Sequence, residues 1–190
     1  MRTSTWLATT LAAIVGTAAW ITLPAEAVRL SDGKVYFVQP PRLTYSATTQ
    51  SLTNASGATY YFTLTVPENA GEPLQRVAIA QRDGSTSARL VRYELDDTRA
   101  FTGTRHNRGE ALTLAETTFD RDTQTVTVTF DPPVPPGTTV TIGLRPDRNP
   151  NAGGTYLFGV TAYPAGDTPY GQFLGYGRFQ FDEPNHFLSF

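Results

Sequence analysis

The chain of 190 residues contains no cysteine, and its only methionine is Met1. The absence of cysteine excludes disulfide bonds, thiolate nucleophiles, iron–sulfur clusters and blue-copper sites. Lys34 is the only lysine, so catalysis through a lysine Schiff base is nearly excluded as well. The folded chain must therefore depend on packing, for which its nine tyrosines and eleven phenylalanines are suited.

The chain also has little excess charge, since its formal net charge at neutral pH is -2. A value this small predicts neither nucleic-acid binding nor strong attraction to an anionic membrane surface. Neither kind of partner is expected, and no cofactor is predicted from the composition.

The first 27 residues have the pattern of a secretory signal peptide. Arg2 precedes an apolar stretch from Trp6 to Leu23, and the small-residue site Ala25-Glu26-Ala27 follows. The alternative is an uncleaved membrane anchor, because the apolar stretch approaches the roughly 18 residues that can span a bilayer. Cleavage after Ala27 is the preferred interpretation.

Three regions follow from this pattern: a signal peptide over 1–27, a β-sandwich domain over 28–182 and a C-terminal tail over 183–190. The exported protein is expected in the periplasm, in the cell envelope or outside the cell, with the thylakoid lumen as a further alternative. No membrane span is expected once the signal peptide is removed.

After residue 27 the apolar residues alternate with a period of two, as in half-buried strands. The strongest predicted strands are 59–66, 125–130, 138–144 and 155–163, of which the last is apolar enough for a central strand. Weaker candidates are 35–38, 43–47, 75–81, 90–95 and 173–181.

Segments rich in proline and glycine separate these runs, and 131–137 is one of the predicted breaks. About eight short strands in one domain predict an all-β protein, an immunoglobulin-like antiparallel β-sandwich with Greek-key connections. The polar segment 96–114 is predicted to be an excursion from the sandwich, with a helical turn near 98–101.

An aromatic segment runs from Tyr163 through Tyr170 to Phe173 and Tyr176. Aromatic rings flanked by polar groups suit partly apolar ligands such as sugars. The predicted ligand-binding residues are Tyr163, Asp167, Tyr170, Gln172 and Phe173. The alternative interpretation is that these rings are core residues next to one exposed turn.

Catalytic motifs are scarce. The sequence holds no GxSxG nucleophile elbow, which argues against serine catalysis. Glu94, Asp96 and Asp97 cluster in sequence, so a carboxylate-based extracytoplasmic hydrolase using Glu94 and Asp97 is kept as an alternative. No catalytic residue is assigned.

Metal binding has only weak support. His106 and His186 are the two imidazoles, and neither has a recognised ligand spacing, although Asp182 and Glu183 lie close to His186 in sequence. A metal-binding envelope protein remains an alternative, and no metal ligand is assigned.

Three acidic residues resemble a calcium-binding loop at first sight, since Asp120 and Asp122 are followed by Asp131. The sixth position of that loop would be Thr125, where glycine is required, and the interior alternates as a strand. These carboxylates are therefore predicted to cap a hairpin turn before Thr125, with calcium between strands as the alternative.

Several longer blocks carry a family resemblance. They are Val35-Tyr36-Phe37-Val38-Gln39-Pro40-Pro41, Pro67-Glu68-Asn69-Ala70-Gly71-Glu72-Pro73-Leu74, Phe130-Asp131-Pro132-Pro133-Val134-Pro135-Pro136-Gly137, Tyr156-Leu157-Phe158-Gly159-Val160-Thr161-Ala162 and Gly171-Gln172-Phe173-Leu174-Gly175. With them the chain resembles the cyanobacterial secreted domain-of-unknown-function family twenty-eight-oh-eight. The resemblance implies a host and an exported location, and no activity or catalytic residue.

These observations favour a secreted cell-envelope protein that is not an enzyme. It is expected to be a binding or structural module for a protein or glycan partner. The hydrolase and the metal-binding protein remain the two alternatives.

Overall fold

The computed structural model describes residues 28–29, 33–83 and 91–184. The predicted signal peptide, residues 185–190 of the predicted tail and segment 84–90 lie outside these ranges. The described elements are, in chain order, β1 Val28–Arg29, β2 Val35–Tyr36, β3 Arg42–Thr48, β4 Tyr60–Thr65, β5 Leu74–Asp83, a 3-10 helix Leu95–Asp97, β6 Arg99–Gly103, β7 Arg108–Ala111, β8 Leu114–Asp120, β9 Thr125–Val134, β10 Thr139–Leu144, β11 Gly154–Pro164 and β12 Gln172–Phe181.

Two five-stranded antiparallel sheets make up the body of the protein. The first sheet has the order β3-β4-β10-β6-β7 and the second has the order β12-β11-β5-β9-β8, while β1 and β2 form a separate pair. The chain crosses repeatedly between the sheets, so neighbours in a sheet are often distant in sequence. The predicted immunoglobulin-like antiparallel β-sandwich is confirmed.

Alternate residues of both sheets fill the space between them. Tyr60, Phe62 and Leu64 of β4 have no solvent exposure, and the same holds for Tyr156 and Phe158 of β11. Their rings form edge and tilted contacts with the β12 phenylalanines; the centroids of Phe158 and Phe179, for example, lie 5.1 Å apart. This aromatic core is the packing that the cysteine-free composition requires.

Most predicted strands are found with small shifts at their ends. The strands predicted at 59–66, 138–144 and 155–163 correspond to β4, β10 and β11, and β11 is a central strand as expected. The weaker candidates 43–47, 75–81 and 173–181 also form strands. Candidate 35–38 contributes only the two residues of β2.

Three predictions about elements were wrong. Segment 96–114 is no excursion: it contains β6 and β7, which complete the first sheet, and its helical turn lies earlier, at Leu95–Asp97. The predicted break at 131–137 begins too early, since β9 continues to Val134, which pairs with Leu74. Candidate 90–95 forms no strand over its described residues 91–95: Tyr93 makes an isolated bridge to Pro146, and Leu95 begins the 3-10 helix.

The predicted hairpin turn before Thr125 is confirmed. Asp120 Oδ1 accepts hydrogen bonds from the backbone N–H groups of Asp122 (2.8 Å) and Thr123 (3.3 Å), and β8 and β9 pair on either side. Hydrogen bonds lower the pKa of Asp120, and the bond from the Thr123 side chain contributes most. Within the three described ranges, no helix is long and apolar enough to cross a bilayer.

Candidate functional site

A β-bulge in β12 brings two aromatic rings onto one surface. Opposite β11, Val160 pairs with Gly175 and Thr161 pairs with Phe173, so Leu174 is an extra residue in β12. Because one extra residue reverses the alternation of side chains, Phe173 and Tyr176 point to the same outward face although they are three positions apart. Their ring centroids lie 5.1 Å apart at an interplanar angle of 69°.

Both rings are open to solvent, with Phe173 57% exposed and Tyr176 54% exposed. Small residues occupy the facing positions of β11 and β5, and two of them, Gly159 and Ala80, are buried. A Cβ atom added to Gly159 would lie 3.3 Å from Cε2 of Phe173 and 3.5 Å from Cε1 of Tyr176. We call this surface the aromatic face, defined by Ala78, Ala80, Gly159, Thr161, Phe173 and Tyr176.

Hydrogen-bond donors border the aromatic face. Thr127 of β9 pairs with Ala78 and extends the floor with a hydroxyl group. Arg82 approaches from the other side, its Cγ lying 3.3 Å from the Cβ position of Gly159. Arg178, two residues after Tyr176, is exposed. The two exposed rings, the threonine hydroxyls and the Arg82 side chain thus lie together over a floor of small residues, while the Arg178 guanidinium points to the Thr155 hydroxyl.

The predicted ligand-binding residues separate in the structure, and only Phe173 lies at the centre of the aromatic face. Tyr163 borders the face, but its ring is covered by the guanidinium of Arg76 at 4.4 Å. Gln172 turns away, and its Oε1 accepts a hydrogen bond of 2.8 Å from the backbone N–H of Phe37. These two side chains support the fold around the face.

The other two predicted residues lie in the connection between β11 and β12. Tyr170 stacks on Tyr36 with ring centroids 4.7 Å apart, and the Lys34 amine lies 5.3 Å from the Tyr170 ring. Asp167 is exposed in the turn before Tyr170. This cluster and the aromatic face are two distinct surfaces.

Tyr176 and Gly159 were not among the predicted binding residues. A strand with regular alternation would place Phe173 and Tyr176 on opposite faces, and the sequence contains no direct sign of the extra residue. Gly175 and Gly177 are the available signal, since a glycine within a strand often marks a bulge or a close approach of another chain segment.

On the first sheet, the outward-facing ring of Tyr61 is covered by arginine side chains. Arg105 and Arg108 hold their guanidinium groups 5.3 Å and 5.7 Å from the ring centroid of Tyr61, and Arg108 donates a hydrogen bond to the Tyr61 hydroxyl. Tyr61 is only 9% exposed. Cations from the β6–β7 connection therefore cover this ring, whereas Phe173 and Tyr176 stay accessible.

The carboxylates of the hydrolase alternative form surface ion pairs. Nε of Arg145 lies 2.9 Å from Oε2 of Glu94 and 3.5 Å from Oδ2 of Asp97, and about half of each side chain is exposed. A guanidinium between two carboxylates occupies the oxygens that a general base would need. The arrangement therefore favours a structural role for Glu94 and Asp97.

The residues of the metal alternative do not meet in the described ranges. His106 is exposed in the turn between β6 and β7, and His186 lies outside the described residues. Among the residues that are described, no three histidine, aspartate or glutamate side chains are close enough together to hold an ion.

Solved structures with a similar architecture come from proteins of different kinds. The C-terminal domain of the Streptococcus pyogenes antigen I/II-family protein AspA is 17% identical with a TM-score of 0.39, over 70% of this chain and 41% of that one. A collagen-binding domain from a Staphylococcus aureus adhesin is 11% identical with a TM-score of 0.35, over 75% and 98%. AvmM, which catalyses macrocyclisation in alchivemycin A biosynthesis, is 12% identical with a TM-score of 0.35, over 84% and 97%.

The chain thus spans less than half the length of the first of these structures. Similarity at these identities and TM-scores concerns architecture alone, and no function follows from it. Among curated proteins, none matches the sequence. A family model does match residues 34–181, which include every strand from β2 to β12, and the chain therefore belongs to the family described as Protein of unknown function (DUF2808).

Proposed function

We propose that this protein is an exported, non-enzymatic recognition module that binds a neutral glycan through the aromatic face. The observation that carries the proposal is the β12 bulge, which places two adjacent, solvent-exposed rings beside a floor of small residues. Export rests on the signal-peptide pattern of residues 1–27, and it would bring this face into contact with the polysaccharides of the cell envelope.

The chemistry of the face suits a sugar ring. Phe173 and Tyr176 offer apolar surfaces against which the C–H groups of a pyranose can pack. The hydroxyls of Thr127 and Thr161 and the side chain of Arg82 lie where they can exchange hydrogen bonds with sugar hydroxyls.

The size of the face favours a glycan over a protein. A stable protein interface buries roughly 800 Å² on each partner around an apolar centre. Two half-exposed aromatic side chains offer only about 200 Å². At about 25 cal/mol/Å² that area supplies about 5 kcal/mol, which corresponds to a dissociation constant in the range of about 0.1–1 mM. Repeated sugars in a polymer would raise the effective affinity.

The proposal predicts that truncating either ring weakens binding. Affinity electrophoresis of the exported form in gels containing neutral polysaccharides identifies a retaining polymer, and titration calorimetry with its oligosaccharide gives the affinity. Phe173→Ala and Tyr176→Ala should each weaken binding by about tenfold, because each removes one stacking surface.

Tyr45→Ala is the matched control. Tyr45 lies on β3 of the first sheet and is 42% exposed, so this variant removes an exposed ring away from the aromatic face. The control should bind as the unmodified protein does. Equal losses in all three variants, or retention by no neutral polysaccharide, would contradict the proposal.

A further inference from the structure

A cavity lies at the end of the sandwich where three connections meet. It has a volume of about 720 Å³ and lies between the 121–124 turn, the loop around Asn54 and the loop that precedes β11. Gly154, at the start of β11, follows that last loop, and Gly159 lies five residues further along the strand, roughly 17 Å away. The cavity is therefore separate from the aromatic face.

Among the described residues, three exposed arginines line this cavity: Arg92, Arg121 and Arg148. Asp147 is the one acidic residue among the described lining residues, so this part of the lining carries an excess of positive charge in a chain whose formal net charge is -2. Within the described ranges, none of the three guanidinium groups forms an ion pair or a side-chain hydrogen bond. Three unpaired guanidinium groups around one cavity are suited to hold oxyanions.

One acceptor in the cavity has no donor. Gln124 also lines it, and its Nε2 donates a hydrogen bond of 2.6 Å to the carbonyl of Arg121. Its Oε1 is buried and has no hydrogen-bond partner among the described residues. A buried acceptor without a donor is costly, so a ligand hydroxyl that meets this oxygen when the Gln124 side chain turns toward the cavity would relieve the cost.

The floor of the cavity is fixed by Asn149, which is 3% exposed. Its Oδ1 accepts a hydrogen bond from the Tyr60 hydroxyl, and its Nδ2 donates to the carbonyls of Gln50 and Leu52. These bonds connect the loop before β11 to β4 and to the loop that carries Asn54. Arg148, the neighbour of Asn149, is thereby attached to a rigid support, which reduces the entropy lost on binding.

We infer that this cavity binds an acidic saccharide, with its carboxylate or sulfate on the arginines and a hydroxyl donating to Oε1 of Gln124. The guanidinium groups require an anion and the unpaired acceptor requires a donor, and an acidic sugar carries both groups on one ring. An acidic peptide carries its carboxylates and its N–H donors on separate flexible groups, so it loses more conformational entropy when it presents both to the cavity.

Titration calorimetry with defined probes tests this inference. The probes are a trisaccharide of uronic acids, the neutral trisaccharide of the same linkage, triglutamate and sodium sulfate. The uronic trisaccharide should bind at least about tenfold more tightly than each of the others, and its affinity should fall with added salt. A neutral trisaccharide, triglutamate or sulfate that binds as tightly would overturn the inference.

Variants locate the site. Arg92→Gln combined with Arg148→Gln should weaken binding of the uronic trisaccharide by more than about tenfold. Gln124→Asn should also weaken it, since the shorter side chain withdraws the acceptor while asparagine tolerates the positive φ of 51° at this position. Arg105→Gln removes one positive charge at the distant β6–β7 turn and should have no effect. Equal losses in the control would refute the location.

Binding of the uronic trisaccharide in the cavity should not depend on the aromatic face. Phe173→Ala and Tyr176→Ala should leave binding of the uronic trisaccharide unchanged. Binding lost in these variants and kept in the Arg92 and Arg148 variant would overturn the cavity assignment, whereas failure of the neutral glycan to bind would leave this inference standing.

Discussion

At the scale of single residues, Asn149 is the polar side chain on which the fold depends most. It is almost fully buried, and it satisfies two backbone carbonyls and one tyrosine hydroxyl at once. Replacement by a residue without hydrogen-bonding groups would leave the buried Tyr60 hydroxyl and two partly buried carbonyls without this partner, and each buried unpaired group costs about 1–3 kcal/mol.

Asn149→Ala should therefore lower the free energy of unfolding by about 3 kcal/mol or more, as measured by urea denaturation of the exported form. Asn107→Ala is the control, since Asn107 is exposed in the β6–β7 turn. A loss below about 1 kcal/mol in the Asn149 variant would show that these hydrogen bonds contribute little.

Ionisation of Tyr60 makes the stability of the folded chain depend on pH in the alkaline range. Burial raises its pKa well above the ordinary value of 10.0, and the neighbouring Tyr93 and Tyr156 raise it further. In the unfolded chain the hydroxyl ionises near its ordinary pKa, while in the folded chain it stays protonated. Ionisation then favours the unfolded state, so the stability present below about pH 10 is lost as the pH rises above it.

Tyr60→Phe should reduce this loss. At neutral pH the variant should be less stable, because Asn149 Oδ1 loses its donor, and the difference from the unmodified protein should shrink as the pH rises above about 10. Urea midpoints measured across this range give the comparison. A constant difference at all pH values would rule out Tyr60 as the titrating group.

At the scale of elements, the strands that the sequence predicts are those that place an apolar side chain in the core at every second position, even where, as in β4 and β10, the residues between are buried as well. Regular alternation in β4, β10 and β11 is visible because every second side chain enters the core. The strands of 96–114 lack this pattern, since all four residues of β7 are exposed. An edge strand with little burial has no alternation of apolar and polar residues in its sequence. The polar composition of 96–114 therefore predicts an excursion where the structure has strands.

The aromatic face and the arginine-lined cavity could be predicted from the sequence to different extents. Phe173 was predicted because aromatic residues are concentrated in its segment, but the bulge that pairs it with Tyr176 depends on register, which the sequence does not display. Arg92, Arg121 and Arg148 are spread over more than 50 residues of sequence. They meet because the chain crosses between sheets, so only the three-dimensional fold brings them together.

Two glycines on neighbouring strands should respond differently to the same substitution. A Cβ added to Gly177 would lie 2.7 Å from the Phe62 ring, inside the core, so Gly177→Ala should cost roughly 1–3 kcal/mol of stability. Gly159 is buried beneath exposed side chains, and a Cβ there would meet movable atoms of Arg82, Phe173 and Tyr176 at 3.3 Å or more. Gly159→Ala should therefore change stability by less than about 1 kcal/mol while it weakens glycan binding.

Thermal denaturation and glycan titration of both variants check this pair. Full binding by Gly159→Ala would mean that the low floor beside the rings is not used by the ligand. A stable Gly177→Ala variant would mean that β12 can move away from the first sheet without cost.

At the scale of the whole molecule, the proposed export predicts where the mature chain begins. Cleavage after Ala27 would leave Val28, the first residue of β1, as the new N-terminus, and β1 pairs with β2 close to the Tyr36–Tyr170 stack. Mass spectrometry of the protein recovered from outside the cytoplasm should therefore identify an N-terminal peptide that starts at Val28. A peptide that retains the apolar stretch would instead support the membrane anchor.

Glycan recognition is proposed for the second sheet, whose outer surface differs from that of the first. On the first sheet arginines cover Tyr61 and Tyr45 is a single exposed ring, whereas the second sheet carries the exposed pair Phe173 and Tyr176. A glycan bound as proposed must perturb this one surface and leave the outer face of the first sheet unchanged.

Nuclear magnetic resonance titration of the 15N-labelled exported protein with the retained oligosaccharide tests this assignment most directly. We expect the largest amide shift changes at Gly159, Thr161 and the residues from Phe173 to Tyr176. Changes centred on β3, β4 or β6 of the first sheet, with the β11 and β12 amides unmoved, would contradict the account.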